Sequence, residues 1–281
     1  MAISLLKGAA FVTGAASGKR NPPIHVQSSS SIPLGIGKAT AFAFAQYGIQ
    51  RLAISDRSTP DLRATALKLQ AQFPFVEIKQ LIIDVTKDDE IDRGVADAVA
   101  AFGRIDIAVN NAGVSGAGKA THEAPSSDWQ NVVDVNLSGV WKCQRRMLQQ
   151  MLTQEKLSVR EGRGTIINVA SMYGLVGPPA HITAAAYTAS KHGVLGLTKA
   201  DGITYAPKGI RINAICPGYV DTPLLRADSL TDYMKRELLK VPLGRLSSQE
   251  EMADSIAFLA SPMASFIVGA ALVADGGYSI Q

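Results

Sequence analysis

Tyr187-Thr188-Ala189-Ser190-Lys191 holds a phenol and an ammonium four positions apart. On a helix such residues share one face, about one turn apart. A free tyrosine titrates near ~10 and is a poor acid or base at neutral pH. A nearby ammonium favours the phenolate, and a general acid/base works best when its pKa lies near the operating pH. The spacing therefore suits a tuned proton donor and acceptor; its plain alternative is a surface pair. Upstream, the apolar run Ile167-Asn168-Val169-Ala170-Ser171 ends in a hydroxyl. At the carboxyl end of a strand, that hydroxyl could hold a carbonyl oxygen where open α/β sheets bind ligands; otherwise it is a strand cap. Asn136 lies within a helical pattern marked by Trp129, Val132, Val133, Leu137, Val140 and Trp141. Asparagine is mildly unfavourable inside a helix, so it is either an exposed residue or one with a task.

A second group of residues suits a dinucleotide. Thr13-Gly14-Ala15-Ala16-Ser17-Gly18 follows an apolar strand pattern, and Ile36-Gly37 opens a helical one. Joined, they form a strand, a glycine turn and a helix start, an arrangement that cradles a pyrophosphate. They are separated by residues 19–35, KRNPPIHVQSSSSIPLG. Three prolines and four consecutive serines give this segment the composition of a loop or disordered stretch. It stands where a turn of about two to six residues is the norm. It reads as a poorly ordered excursion, either a lid or an intron retained in frame. Asp56 ends the next strand pattern, 19 positions past Gly37, where a carboxylate can bind the adenosine ribose hydroxyls and repel a 2′-phosphate. It favours NAD over NADP, although Arg57 could pair with that phosphate. Asp84-Val85 is placed to meet an adenine ring. Asn110-Asn111-Ala112-Gly113 is small enough for close backbone approach to a ligand.

These residues require elements that alternate. Strand-like runs occur at 9–13, 51–55, 76–84, 105–110, 164–171, 210–215 and 271–273. Helical patterns fall at 37–47, 60–72, 87–102, 127–151, 184–205 and 248–260. Alternation implies right-handed crossovers and a parallel sheet covered by helices on both faces, hence an α/β class. The strands are continuous apolar runs, as a sheet buried on both faces demands. With no composition shift or internal repeat, residues 1–281 read as one domain.

The 281 residues are 47% hydrophobic and 19% charged, with a formal net charge of +4. This mild, scattered charge gives no case for nucleic acid. Cys143 and Cys216 stand far apart without a CxxC, and suit inert thiols in a reducing compartment, here the cytoplasm. His25, His122, His181 and His192 show no metal-ligand spacing. There is no signal-peptide pattern and no apolar run of membrane length.

The ordered set TGxxxG…G, Asp56, Asp84-Val85, NNAG, Asn136, Ser171, YxxxK and Pro217-Gly218 resembles the short-chain dehydrogenase/reductase family, of the small single-domain type. The resemblance implies a Rossmann-like doubly wound sheet of about seven strands and NAD(P)-dependent alcohol/carbonyl chemistry on a small molecule. It also implies a homodimer or homotetramer. Tyr187 would be the general acid/base, Ser171 would polarise the substrate oxygen, and Lys191 would tune Tyr187 and bind the nicotinamide ribose. Asn136 would hold a water in a proton relay. Cofactor contacts would come from Thr13, Gly14, Ser17, Gly18, Ile36, Gly37, Asp56, Asp84, Val85, Asn111, Tyr187, Lys191, Pro217, Val220 and Thr222. Residues 222–246 would form the variable substrate lid, and 273–277 would lie near a subunit interface. Two features depart from the family pattern. The insert splits the glycine turn, and the Ser171–Tyr187 interval of 16 is a few residues long. The interval contains His181, read as a loop residue. Alternatives are a dinucleotide-binding protein without turnover and a sugar-nucleotide epimerase, which shares YxxxK.

Overall fold

The computed structural model describes residues 4–16, 35–222 and 232–280. The glycine-turn residues Ser17 and Gly18, and the expectation of a poorly ordered insert, fall outside the described residues apart from Gly35; so does the lid segment 223–231. Seven strands form one sheet: β1 (Ala9–Thr13), β2 (Arg51–Asp56), β3 (Glu77–Ile82), β4 (Ile107–Asn110), β5 (Gly164–Val169), β6 (Ile210–Pro217) and β7 (Ala271–Ala274). Their order is β3-β2-β1-β4-β5-β6-β7 and every pairing is parallel. The helices are α1 (Ile36–Gln46), α2 (Thr59–Gln72), α3 (Asp88–Phe102), α4 (Ser126–Val133), α5 (Gly139–Leu152), α6 (Ala185–Tyr205), α7 (Asp232–Leu238) and α8 (Gln249–Ala260). This is the doubly wound, Rossmann-like sheet expected.

Alternation of side chains along β1 explains its apolar run. Ala10 and Val12 enter one core layer with Phe44, Leu52, Ile54 and Ile256. Ala9 and Phe11 enter the other with Met147, Met151, Ile166 and Ile212. Successive residues on a strand face opposite sides, so every residue must be apolar when helices cover both. Burying a side chain such as Phe44 contributes about 1.5–3 kcal/mol. Small residues let two helices meet closely: Ala39 and Ala43 of α1 pack on Ala253 of α8.

β1 neighbours β2 on one side and β4 on the other. The chain thus leaves the sheet centre in both directions, opening a crevice at the carboxyl ends of the strands. Thr13, Asp56, Asn110, Val169 and Pro217 all end strands at that edge.

The helical pattern at 127–151 departs from expectation. It is three pieces: α4, a π-helical turn Asp134–Ser138, and α5. Trp129 and Trp141 from the apolar pattern are each nearly half exposed, whereas Val132 and Val140 are buried. The extra residue in the π-turn rotates the following helix, so one amphipathic stripe cannot serve both pieces. Both cysteines are buried free thiols. Among the described residues no helix is long and apolar enough to cross a membrane.

Candidate active site

Ser171 follows β5 and starts a short 3-10 turn, Met172–Gly174. Its Oγ accepts from Tyr173 N at 3.2 Å, which leaves the hydroxyl hydrogen to point elsewhere. Its hydroxyl stands beside the Tyr187 phenol, close enough to favour the phenolate. Tyr187 sits in the first turn of α6, and Lys191 one turn later. The 16-residue interval is taken up by the 3-10 turn and a loop, which brings the two hydroxyls together.

Lys191 is 4% exposed. Its Nζ donates to the Val169 carbonyl at 2.8 Å and stands 5.6 Å from the Tyr187 ring centroid. Burial pulls its pKa down to about 8. Burial pushes the Tyr187 phenol above its ordinary range, and the neighbouring Ser171 hydroxyl draws it partly back. The sequence pattern led us to expect an ammonium that lowers the phenol. In the protein alone burial outweighs it, because Lys191 is directed at a backbone carbonyl instead of the phenol oxygen.

The π-turn explains Asn136. It lies at the centre of that turn and is wholly buried. Its Oδ1 accepts from Val114 N and its Nδ2 donates to Val114 O, both at 2.8 Å. The amide thus takes the place of a strand partner for the loop after β4. A Cβ built on Gly113 would lie 3.4 Å from Asn136 Oδ1 and 3.8 Å from Lys191 Nζ. Asn136 and Lys191 therefore border the same small space.

The cofactor candidates line the rest of the crevice. Gly14 has φ +66°, a left-handed conformation that favours glycine. A Cβ on Gly37 would stand 2.4 Å from the Gly14 carbonyl and 2.2 Å from Asn111 Nδ2, so α1 meets the turn without room for a side chain. Asn111 Nδ2 donates to the carbonyls of Thr13 and Gly14 at 3.0 and 3.1 Å. The Thr13 hydroxyl accepts from Asn111 N and Ala112 N. Thr13 and Asn111 thus brace the turn with their side chains. α1 opens at Ile36 with Gly35 as its N-cap, a residue with no side chain to cover the first-turn amides. Asp56 Oδ2 accepts from Ala16 N at 3.1 Å and Oδ1 from Ser58 N at 3.0 Å. Asp84 closes an Asx turn on Thr86 N and Oγ1. Burial pushes that carboxyl up, but the Thr86 hydrogen bonds and the Arg57 and Lys87 charges hold it below the usual range. The Val85 side chain is packed in the core beside α5, leaving its backbone at the crevice. Pro217 ends β6, Val220 pairs with Ser247, and Thr222 ends the described segment. Ser247 precedes the Ser248–Glu251 capping box that starts α8, and this fixes the 217–222 turn from below. Uncapped helix amides facing a glycine turn, with carboxylates at the next two strand ends, fit a dinucleotide: donors for its pyrophosphate, acceptors for ribose and adenine.

Two polar networks here carry no sequence signal. Asn110, Asn168, Gln144 and Thr198 form a hydrogen-bonded ladder beneath the site. Tyr173, Tyr219, Tyr278 and Glu237 form another beside Tyr187. Their members are too far apart in sequence for any spacing to reveal them. His181, expected to be a plain loop residue, lies 3.3 Å from Glu237.

Comparison with known proteins follows the same lines. A family model described as enoyl-(acyl carrier protein) reductase matches residues 33–279, beginning near the end of the insert. The short-chain dehydrogenase srdC of Neurospora crassa is 37% identical, covering 98% of both chains. The cis-4-hydroxycyclohexanecarboxylate dehydrogenase of Sinomonas cyclohexanicum is 38% identical over 87% of this chain and 92% of its own. A short-chain dehydrogenase/reductase structure from Mycobacterium marinum superposes with a TM-score of 0.84. It is 31% identical and covers 100% of this chain and 98% of its own.

Proposed function

Because the chain belongs to the short-chain dehydrogenase/reductase family and is thus an NAD(P)-dependent oxidoreductase, we propose that it interconverts an alicyclic secondary alcohol and its ketone, with Tyr187 as general acid/base. The observation that carries this reading is the grouping of Ser171 at the end of β5 beside Tyr187, with Lys191 one turn further along α6 and its Nζ 5.6 Å from the tyrosine ring. In reduction Ser171 holds the carbonyl oxygen and Tyr187 gives it a proton; in oxidation Tyr187 takes that proton. Lys191 binds the nicotinamide ribose and charges Tyr187 with a proton through the space it shares with Asn136. The nicotinamide supplies or accepts the hydride when bound.

The first-turn amides of α1 would hold the pyrophosphate with Gly14 and Gly37; Ser17 and Gly18, expected to join them, lie outside the described residues. Asp56 takes the adenosine ribose, which favours NAD, and Asp84 with the Val85 backbone takes the adenine. Pro217, Val220 and Thr222 flank the nicotinamide. An alicyclic substrate is supported by the apolar wall beside Tyr187, built by Met172, Val176, Ile182, Met234, Leu238 and Leu246. The ring-hydroxyl activity in the name of the Sinomonas relative agrees with it. We read the protein as a cytoplasmic homodimer or homotetramer. Buried free thiols suit a reducing compartment, and the exposed Trp129 and Trp141 suit self-association.

The test is a panel of alicyclic and linear ketones and alcohols with both cofactors, followed at the nicotinamide absorbance. Turnover of alicyclic compounds, faster with NAD than NADP, is expected. Activity confined to linear substrates would remove the alicyclic assignment, and none at all would remove the reaction.

A further inference from the structure

Beside Tyr187 runs a buried polar chain that the proposed chemistry does not use. The hydroxyls of Tyr173 and Tyr219 lie 2.7 Å apart. The rings of Tyr219 and Tyr278 meet edge to face at 5.3 Å. Tyr278 donates to Glu237 Oε2 at 2.7 Å. Glu237 Oε1 accepts from Lys240 Nζ at 2.6 Å and lies 3.3 Å from His181 Nε2. The Glu237 side chain is 1% exposed.

A carboxylate so buried is costly unless cations and donors surround it, and here they do. An ionised carboxylate only accepts hydrogen bonds, so Tyr278 has to donate to it. Tyr278 is thereby held against Tyr219, whose hydroxyl in turn pairs with that of Tyr173. The chain also joins parts of the protein that are remote in sequence. Tyr173 is two residues past Ser171, Tyr219 is two past Pro217, Glu237 is on α7, and Tyr278 is near the carboxyl terminus. Around it Met172, Met234, Leu238 and Tyr187 share one apolar cluster. α7 thus sets Met234 and Leu238 in the apolar cluster that also holds Met172 and Tyr187, and its Glu237 is buried.

We propose that Glu237 is a positioning residue: its carboxylate pins α7 to Tyr278 and, through the tyrosine hydroxyls, fixes the backbone after Ser171 and after Pro217, setting the shape of the substrate wall. The inference rests on the oxidoreductase reading above. The network meets the reacting groups only by packing on Tyr187 and through the Tyr173 N–H on Ser171, and none of its side-chain polar atoms bonds to them, so it acts on substrate affinity more than on the chemical step.

Glu237→Gln keeps the size of the side chain but removes the charge that orders the hydroxyls. With cyclohexanone and NADH as probe, KM for the ketone is expected to rise about tenfold while kcat moves less than about threefold. The KM for NADH stays unchanged. Tyr278→Phe keeps the ring, removes the hydroxyl, and should act in the same direction. The double variant should add little to Glu237→Gln, as for two residues acting through one network. Hydrogen exchange of the amides at 172–176 and 219–222 is expected to quicken in both variants. An unchanged ketone KM in both, or an equal rise in the NADH KM, overturns the proposal. If the wild type turns over no ketone, the reaction reading fails separately. The exchange measurement then decides, and unchanged protection in both variants overturns the role of Glu237.

Discussion

Lys191 donates to the Val169 carbonyl at 2.8 Å and is buried while doing so. Burial lowers its pKa well below the ordinary lysine range, to about 8. The folded value lies below the unfolded one, so holding the proton costs the folded state about 3 kcal/mol at neutral pH. That cost fades as pH rises through the interval between the two values, and this group's contribution to stability improves with it. Lys191→Met removes the buried charge but leaves the Val169 carbonyl unpaired, a penalty of about 1–3 kcal/mol. The two nearly cancel. The variant should unfold in urea within about 2 kcal/mol of wild type, yet lose about a hundredfold or more in turnover. Lost turnover accompanied by a collapsed fold would mean that Lys191 is structural.

Tyr187 gives the pH dependence. Its phenol is raised by burial, so near neutrality it is protonated and ready to donate. Ketone reduction should therefore be flat through neutral pH and fall in the alkaline range. Alcohol oxidation, which needs the deprotonated form, should climb over the same range. A profile of kcat/KM in both directions checks this, and an oxidation rate that declines from about pH 6 to 9 contradicts it. Tyr187→Phe should reduce turnover about a thousandfold. Cofactor affinity should stay within about threefold, since binding is spread over many contacts.

The layout of this fold could be read because its signals are local. A strand buried on both faces must be apolar throughout, and β1, β4 and β5 lie where such runs stand. Tyr187 and Lys191 could be paired because helix periodicity fixes their relation. The roles of Asn111 and Asn136 could not. Both amides bond to backbone in other segments, and helical periodicity gave no hint of the π-turn. The direction of the Tyr187 shift is not legible in sequence, because the charge of Lys191 is visible there and the burial of the phenol is not. The Glu237 network depends on Tyr219 meeting Tyr173 across 46 positions and Tyr278 meeting Glu237 across 41.

Asp56 has two tasks in the proposed reading: it accepts from Ala16 N in the glycine turn and would take the adenosine ribose. The two tasks can be separated. Asp56→Asn keeps an oxygen for the Ala16 amide but loses the charge that repels a 2′-phosphate. It should raise the NADP to NAD ratio of kcat/KM about tenfold with little change in stability. Asp56→Ala loses both and should also weaken NAD binding. An unaltered cofactor ratio in both variants would place the ribose contact elsewhere.

Removing residues 19–35 joins Gly18 directly to Ile36. The junction restores a short strand-to-helix turn, of the kind that brings backbone amides close to phosphate oxygens. A loop of this length must be held in register at an entropic cost when the phosphate site forms. Titrating NADH by its fluorescence should therefore show tighter binding to the shortened chain, by about tenfold. Its unfolding midpoint should be no lower than that of the full chain, because Gly14, Gly37 and Asn111 already pack at the turn. Equal affinity of the two chains would mean that the insert leaves the phosphate turn undisturbed. Weaker binding to the shortened chain would make residues 19–35 part of the cofactor site.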